Sequence, residues 1–199
     1  MGLGQREGSG PVSRQARILL VDDRPENLVA LEAILSSLGQ ILVPVRSGEQ
    51  AIAAVLADEY AVVLLDIMMP GMDGFETATQ IKRHAKSRDV PIIFLTAATM
   101  QPEQAFRGYA AGAVDYLAKP FDPGVLTAKV SIFVDLYLKA SQLRDQAELL
   151  GRRLESVEEA VDALCQLPAV SQDAEARETA ARLAGRVGRV RDAFGGPGP

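Results

Sequence analysis

Cysteine and histidine are almost absent from this chain. Its 199 residues include one of each, Cys165 and His84. A lone cysteine excludes an internal disulfide framework and any multi-cysteine zinc site. A lone histidine excludes two-histidine metal motifs and leaves few catalytic-triad arrangements. Tryptophan is missing and aromatic residues make up 5% of the chain, which is lean for a base-stacking platform. Positive charge is not in excess either: 21 Lys plus Arg against 26 Asp plus Glu give a net charge of −5 and no large grip on a phosphate backbone. No apolar run approaches the roughly 18 residues of a membrane span. The first 16 residues are Gly-rich and polar, without the apolar core of a signal peptide, and are expected to form a disordered arm. The expectation is a reduced, cytoplasmic protein with no membrane insertion and no DNA binding.

What is present supports a packed core, because apolar residues are 48% of the chain and charged residues 24%. From Arg17 onward short apolar runs alternate with amphipathic stretches. The runs are Ile18-Leu19-Leu20-Val21, Ile41-Leu42-Val43-Pro44-Val45, Ala61-Val62-Val63-Leu64-Leu65, Ile92-Ile93-Phe94-Leu95 and Val114-Asp115-Tyr116-Leu117. Continuously apolar runs are what strands buried on both faces require. The stretches between them predict helices near 25–38, 48–57, 73–86, 102–111 and 123–139. Five β-α repeats read as one doubly wound α/β domain over 17–139, a flavodoxin-like (βα)5 parallel sheet of strand order 2-1-3-4-5. Pro44 agrees with that order, since a strand with a proline belongs at an edge and the second strand is an edge there.

Beyond residue 139 the strand pattern stops and a seven-residue repeat takes over. Phe133, Ala140, Ala147, Leu154 and Val161 occupy a; Leu136, Leu143, Leu150, Val157 and Leu164 occupy d. The last helix of the α/β domain is therefore expected to continue as a coiled coil through 140–168, stopped by Pro168. A second amphipathic stretch over 169–194 carries Ala176, Ala180, Leu183, Val187, Val190 and Phe194, weakened by Gly185 and Gly188. The tail 195–199 is expected to be disordered on composition. The seam fits a parallel homodimer first and a partner's helix second; folding back as a hairpin is the intramolecular alternative. Cys165 falls at e near the end of the rod, and His84 on the solvent side of the third helix.

Open α/β sheets bind ligands beyond the carboxyl ends of their strands. Those ends bring Asp22-Asp23, Asp66, Thr96 and Lys119-Pro120 to one rim. Three converging carboxylates repel one another unless a cation lies among them, and an all-oxygen ligand set suits Mg²⁺. A lysine and a hydroxyl beside them offer partners for the remaining oxygens of a phosphoryl group. Taken singly, Asp22-Asp23 could cap a helix, Asp66 could be a turn residue, and Asp73-Gly74 reads as a cap and turn into the third helix.

The segments LLVDD (19–23), VVLLDIMMPGMDG (62–74), IIFLTA (92–97) and AGAVDYLAKPF (111–121) resemble the response-regulator receiver domains of two-component signalling, CheY-like in fold, over residues 17–139. The resemblance implies a phosphoprotein in which Asp66 takes a phosphoryl group from a phosphohistidine on a sensor histidine kinase. Mg²⁺ would be held by Asp23 and Asp66, by Asp22 through a water, and by the backbone carbonyl of Met68. Lys119 would pair with phosphoryl oxygens across a cis Lys119-Pro120 peptide, Thr96 would bond one of them, and Tyr116 would turn inward in response. Ala97 is small and leaves room for the partner's imidazole. Met68 and Ala98 stand where the family sets dephosphorylation rate, and neither orients a water by hydrogen bonding. Such a protein is not an enzyme beyond its own phosphorylation and dephosphorylation.

The output follows from residues 140–199, which hold eight Arg and ten Asp plus Glu, close to neutral and without a basic recognition helix. The reading is altered protein–protein contact through 102–139 and the helical extension. Two alternatives compete with it. One is an RNA-binding, antitermination-type helical output. The other is an aspartate-nucleophile phosphatase, which needs a second acid two residues past the nucleophile, where this chain has Met68.

Overall fold

The computed structural model describes residues 14–97, 112–168 and 172–195, with the side chains of 97, 191 and 193–195 outside that description. The five strands are β1 (Arg17–Val21), β2 (Ile41–Val45), β3 (Val62–Asp66), β4 (Ile92–Ala97) and β5 (Asp115–Lys119). The helices are α1 (Pro25–Leu35), α2 (Gly48–Ala57), α3 (Gly74–Arg83), α4 (Pro123–Cys165) and α5 (Ala174–Gly195). All strand pairs are parallel and the order is β2-β1-β3-β4-β5. The expected sheet order and the flavodoxin-like class are thus observed. The helix expected over 102–111 lies outside the described residues, as do Ala98 and residues 1–13 of the arm expected over 1–16; within that span Ala16 is buried and its carbonyl accepts from the Ile41 N–H.

The core divides by the two-residue period of a strand. Ile18, Leu20, Val62, Leu64, Ile93 and Leu95 point to one face of the sheet, where Leu28, Leu31 and Leu35 of α1 and Leu126, Val130 and Val134 of α4 cover them. Leu19, Val21, Val63, Leu65, Ile92 and Phe94 point to the other, against Ala51 and Val55 of α2 and Phe75, Ala78 and Ile81 of α3. Phe75 and Phe94 meet edge to face, with centroids 5.1 Å apart. Each fully buried aliphatic side chain contributes about 1.5–3 kcal/mol relative to exposure. β3 is buried along its whole length, as the central strand should be.

Two helices end earlier than the periodicity suggests. The apolar pattern of α1 runs to Leu38, but the helix tightens into a 3₁₀ turn at Ser36–Leu38 and closes on Gly39 at φ 62°. In α3, expected to run to residue 86, the chain leaves the helix after Arg83. Ser87 Oγ donates to the Ile81 carbonyl there and Lys82 Nζ to the carbonyls of Arg88 and Val90, so side chains replace the next helical turn.

The chain forms two compact units, one up to Leu138 and one from Lys139. In the first, Phe133, an a position of the heptad pattern, packs against the sheet core. In the second, the end of α4 and α5 form an antiparallel hairpin. Leu164 lines one hollow with Ala176, Thr179 and Ala180, while Glu158 lies by Gly188, further along α5. Asp173 caps α5, its Oδ1 accepting from the backbone N–H groups of Glu175 and Ala176. Among the described residues, no helix is long and apolar enough to cross a membrane.

Candidate functional site at the carboxyl ends of the strands

β1 and β3 end side by side, so the residues that follow Val21 and complete β3 share one rim. Asp22, Asp23 and Asp66 each present a carboxylate oxygen within 4.8 Å of the others. Asp22 is fully buried and Asp66 nearly so. The register sets Thr96 opposite Ala118 and Ala97 opposite Lys119, which brings β5 and its lysine to the same edge. Lys119 Nζ then donates to Asp22 Oδ2 at 2.8 Å and Asp66 Oδ1 at 2.9 Å. Thr96 is buried at the end of β4, and the Lys119-Pro120 peptide is cis. Met68 is exposed two residues beyond Asp66, and Tyr116 is exposed on β5. The side chain of Ala97 lies outside the described residues. Among the described residues, then, Asp22, Asp23, Asp66, Thr96 and Lys119 come together at one rim, while Tyr116 stands on the surface.

The cluster is electrostatically unequal. Burial raises the Asp66 pKa; the hydrogen bond and charge of Lys119 pull it back, and Asp22 and Asp23 push it up further, leaving the net shift upward. For Lys119 burial lowers the pKa, but its bonds to Asp22 and Asp66 outweigh that and the net shift is upward. The lysine gains from two carboxylates while Asp66 bears two like charges. An added cation would relieve Asp66 directly, and the all-oxygen donor set fits a hard divalent ion. Asp22 is already saturated: Oδ1 accepts from the Arg24 N–H and Asn27 Nδ2, and Oδ2 from Asn27 Nδ2 and Lys119. That saturation leaves Asp23 and Asp66 as the carboxylates freer to bind a metal directly.

Two contributors are not evident from the linear sequence. Asn27, in the first turn of α1, donates to both oxygens of Asp22, and an Asn five residues after an Asp carries no signal until α1 folds back over the strand end. Gly74 does more than turn the chain: a Cβ there would lie 2.4 Å from the Asp66 carbonyl oxygen. Asp73 does cap α3, accepting from the Glu76 N–H. Asp22 does not cap α1, whose N-cap is Arg24 without a side-chain bond.

The response regulator receiver domain model matches residues 18–131. The chain belongs to that family. This receiver is 37% identical to the response regulator PleD of Caulobacter vibrioides over 139 residues, 70% of this chain and 30% of PleD. It is 34% identical to the protein PilH of Pseudomonas aeruginosa over 116 residues, 58% of this chain and 95% of PilH. Among solved structures it matches the receiver domain of a Pseudomonas aeruginosa PAO1 sensor histidine kinase with 35% identity and a TM-score of 0.56, covering 61% of this chain and 99% of the other. That structure has a magnesium ion in its active-site cleft. The receiver thus spans under a third of PleD's length. The helical region after the receiver is an extension by α4 and α5.

Proposed function

We propose that this receiver accepts a phosphoryl group on Asp66 from the phosphohistidine of a partner sensor kinase, in a Mg²⁺-dependent reaction. The supporting observation is the bridge of Lys119 between Asp22 and Asp66 inside a cluster of three carboxylates. Asp23, Asp66 and the Met68 carbonyl would hold the metal, with Asp22 reaching it through a water. Bound there, the ion neutralises charge on the carboxylates and the transferring group.

The work of this chain's own residues is positional. Asp66 supplies the attacking carboxylate oxygen; an O–P bond forms as the N–P bond to the donor imidazole breaks, and the imidazole leaves neutral after protonation. Lys119 is already placed to transfer one of its hydrogen bonds to a phosphoryl oxygen. Asn27 and the Arg24 N–H hold Asp22 in place while Lys119 does so. Thr96 is the hydroxyl for a second oxygen, beside the small Ala97, and Tyr116 follows it inward from its exposed position. The output is altered protein–protein contact, with the helical extension meeting a helix of another chain, in the cytoplasm. Neither Met68 nor Ala98 supplies a hydrogen bond for an attacking water, so the acyl phosphate is not shortened in life by these side chains.

The test is intact-mass measurement after incubation with a small-molecule phosphoryl donor. A single phosphoryl adduct that needs Mg²⁺ and disappears in Asp66→Asn is expected. An adduct that survives in Asp66→Asn overturns the assignment.

A further inference from the structure

The C-terminal hairpin leaves one of its sides apolar. The face α4 turns to α5 is made of Gly151, Leu154, Glu158, Val161 and Cys165, all buried or half-buried. The face α5 returns is made of Ala176, Ala180, Ala184, Val187 and Gly188, likewise half-buried and mostly small. Outside this interface stand Leu150, Val157 and Leu164 on α4 and Leu183 and Val190 on α5, between 43% and 56% exposed. At about 100° per residue, each set lies about 80° round its helix from the interface, in the same rotational sense. Because the helices run antiparallel, equal rotations bring both sets out on the same side. The hairpin's register then places Val190 between Leu150 and Val157, and Leu183 between Val157 and Leu164. The five side chains alternate along the groove between two helices, a seat for a third helix.

Arginines outnumber acids on the borders of that groove. On α4, Arg153 sits three residues after Leu150 and four before Val157; on α5, Arg186 sits three after Leu183 and four before Val190. Arg182 and Arg189 stand beside Arg186 on the outer flank of α5. The acids of α4 that keep the same seven-residue spacing, Glu148, Glu155 and Asp162, lie on the opposite side of the hairpin. Two acids share that flank of α5 toward the loop, Glu175 in the first turn and Glu178 four residues before Arg182. A second copy laid in the same direction would set arginine borders against arginine borders, which costs rather than contributes. A helix with an apolar stripe between rows of Asp or Glu meets both the groove and its borders.

We propose that the groove between α4 and α5 is a docking site for an acidic amphipathic helix of another protein. The inference rests on the output reading above and names its partner by chemistry. The leucine stripe supplies the buried contact and the arginines supply selectivity. The acids behind the hairpin keep it from being a general anion surface.

The experiment uses the full chain and two synthetic 21-residue helices, both with Leu at a and d, one with Glu and the other with Lys at e and g. Titration calorimetry is expected to show the Glu-flanked helix binding at least tenfold more tightly. Arg153→Glu with Arg186→Glu is expected to reverse that preference. Val157→Ser with Leu183→Ser should abolish binding of both peptides with the thermal midpoint unchanged, since those side chains are exposed. Equal affinity for the two peptides, or none for either, overturns the proposal. So does a doubled mass in light scattering that Val157→Ser with Leu183→Ser returns to the single chain, because a second copy then covers the groove. Co-sedimentation with anionic phosphatidylglycerol vesicles lost in the same variant overturns it in favour of a lipid surface. Phosphoryl uptake and peptide binding measured together on the unsubstituted chain separate the two readings. A chain that takes up phosphoryl normally but binds no peptide breaks the docking proposal alone, and one that binds peptide but takes up no phosphoryl breaks the receiver proposal alone.

Discussion

The receiver and the C-terminal hairpin use similar residues in opposite ways. In the receiver, Leu19, Leu20, Leu64, Leu65 and Leu95 are fully buried, and the sheet consumes its aliphatic side chains on two faces. In the hairpin, alanine and glycine make much of the contact while Leu150, Leu164 and Leu183 remain exposed. One unit is complete as a core; the other is half of one. The functions proposed above divide along the same line, with chemistry at the receiver's strand ends and contact on the hairpin's surface.

The largest test of that contrast is a matched pair of truncations. Leu64→Ala is expected to cost about 2–5 kcal/mol in urea unfolding, against about 0.5 kcal/mol or less for Leu150→Ala. Equal losses would show that the hairpin is as closed as the receiver. Next is Gly74→Ala, which drives a methyl against the Asp66 carbonyl. It should slow phosphoryl uptake more than tenfold and lower the thermal midpoint; normal uptake would mean that the β3–α3 turn yields. Asn27→Ala removes two hydrogen bonds from buried Asp22. About tenfold slower uptake at limiting Mg²⁺, largely recovered at saturating Mg²⁺, is the expected kinetic result. An unchanged Mg²⁺ dependence would reduce Asn27 to a structural role.

The smallest effect comes from Asp66 itself. Its pKa in the folded chain lies above the ordinary aspartate value of 3.8, first through burial. Over the window from 3.8 up to that raised value the folded state binds more protons than the unfolded, so stability falls as pH rises through it, and the cost persists at neutral pH. Asp66→Asn should therefore raise the thermal midpoint by a few degrees at neutral pH in chelator, and the gain should disappear below pH 3.8. A lower midpoint at neutral pH would show that the Lys119 bond outweighs the burial. The raised Lys119 pKa has the same pH slope but stabilises at neutral pH: its contribution is intact below 10.5 and is lost as pH climbs through the folded value.

Much of the receiver was legible because both-face burial writes itself as unbroken runs such as Val62–Leu65, and strand ends in an open sheet must converge. The bounds of α2, 48–57, were equally plain, with Ser47 as its cap. What was not legible depended on chain segments meeting. Asn27 matters only because α1 returns over Asp22, and Gly74 only because α3 begins against β3. The heptad repeat shows the reason from the other side. Periodicity reports that residues share a face, not what that face meets. Phe133 meets the sheet, Leu154 and Val161 turn into the hairpin, and the d series stays outside.

Pro44 has a consequence for how this protein avoids unwanted company. The Ile41 N–H bonds the Ala16 carbonyl, so the odd-numbered residues of β2 direct their amides toward β1 and the even-numbered ones face outward. Pro44 is one of these, and its missing N–H lies on the free edge of the sheet, opposite the side paired through Leu20. A foreign strand arriving along β2 would find the ladder interrupted near its middle. That margin is blunted against templated aggregation.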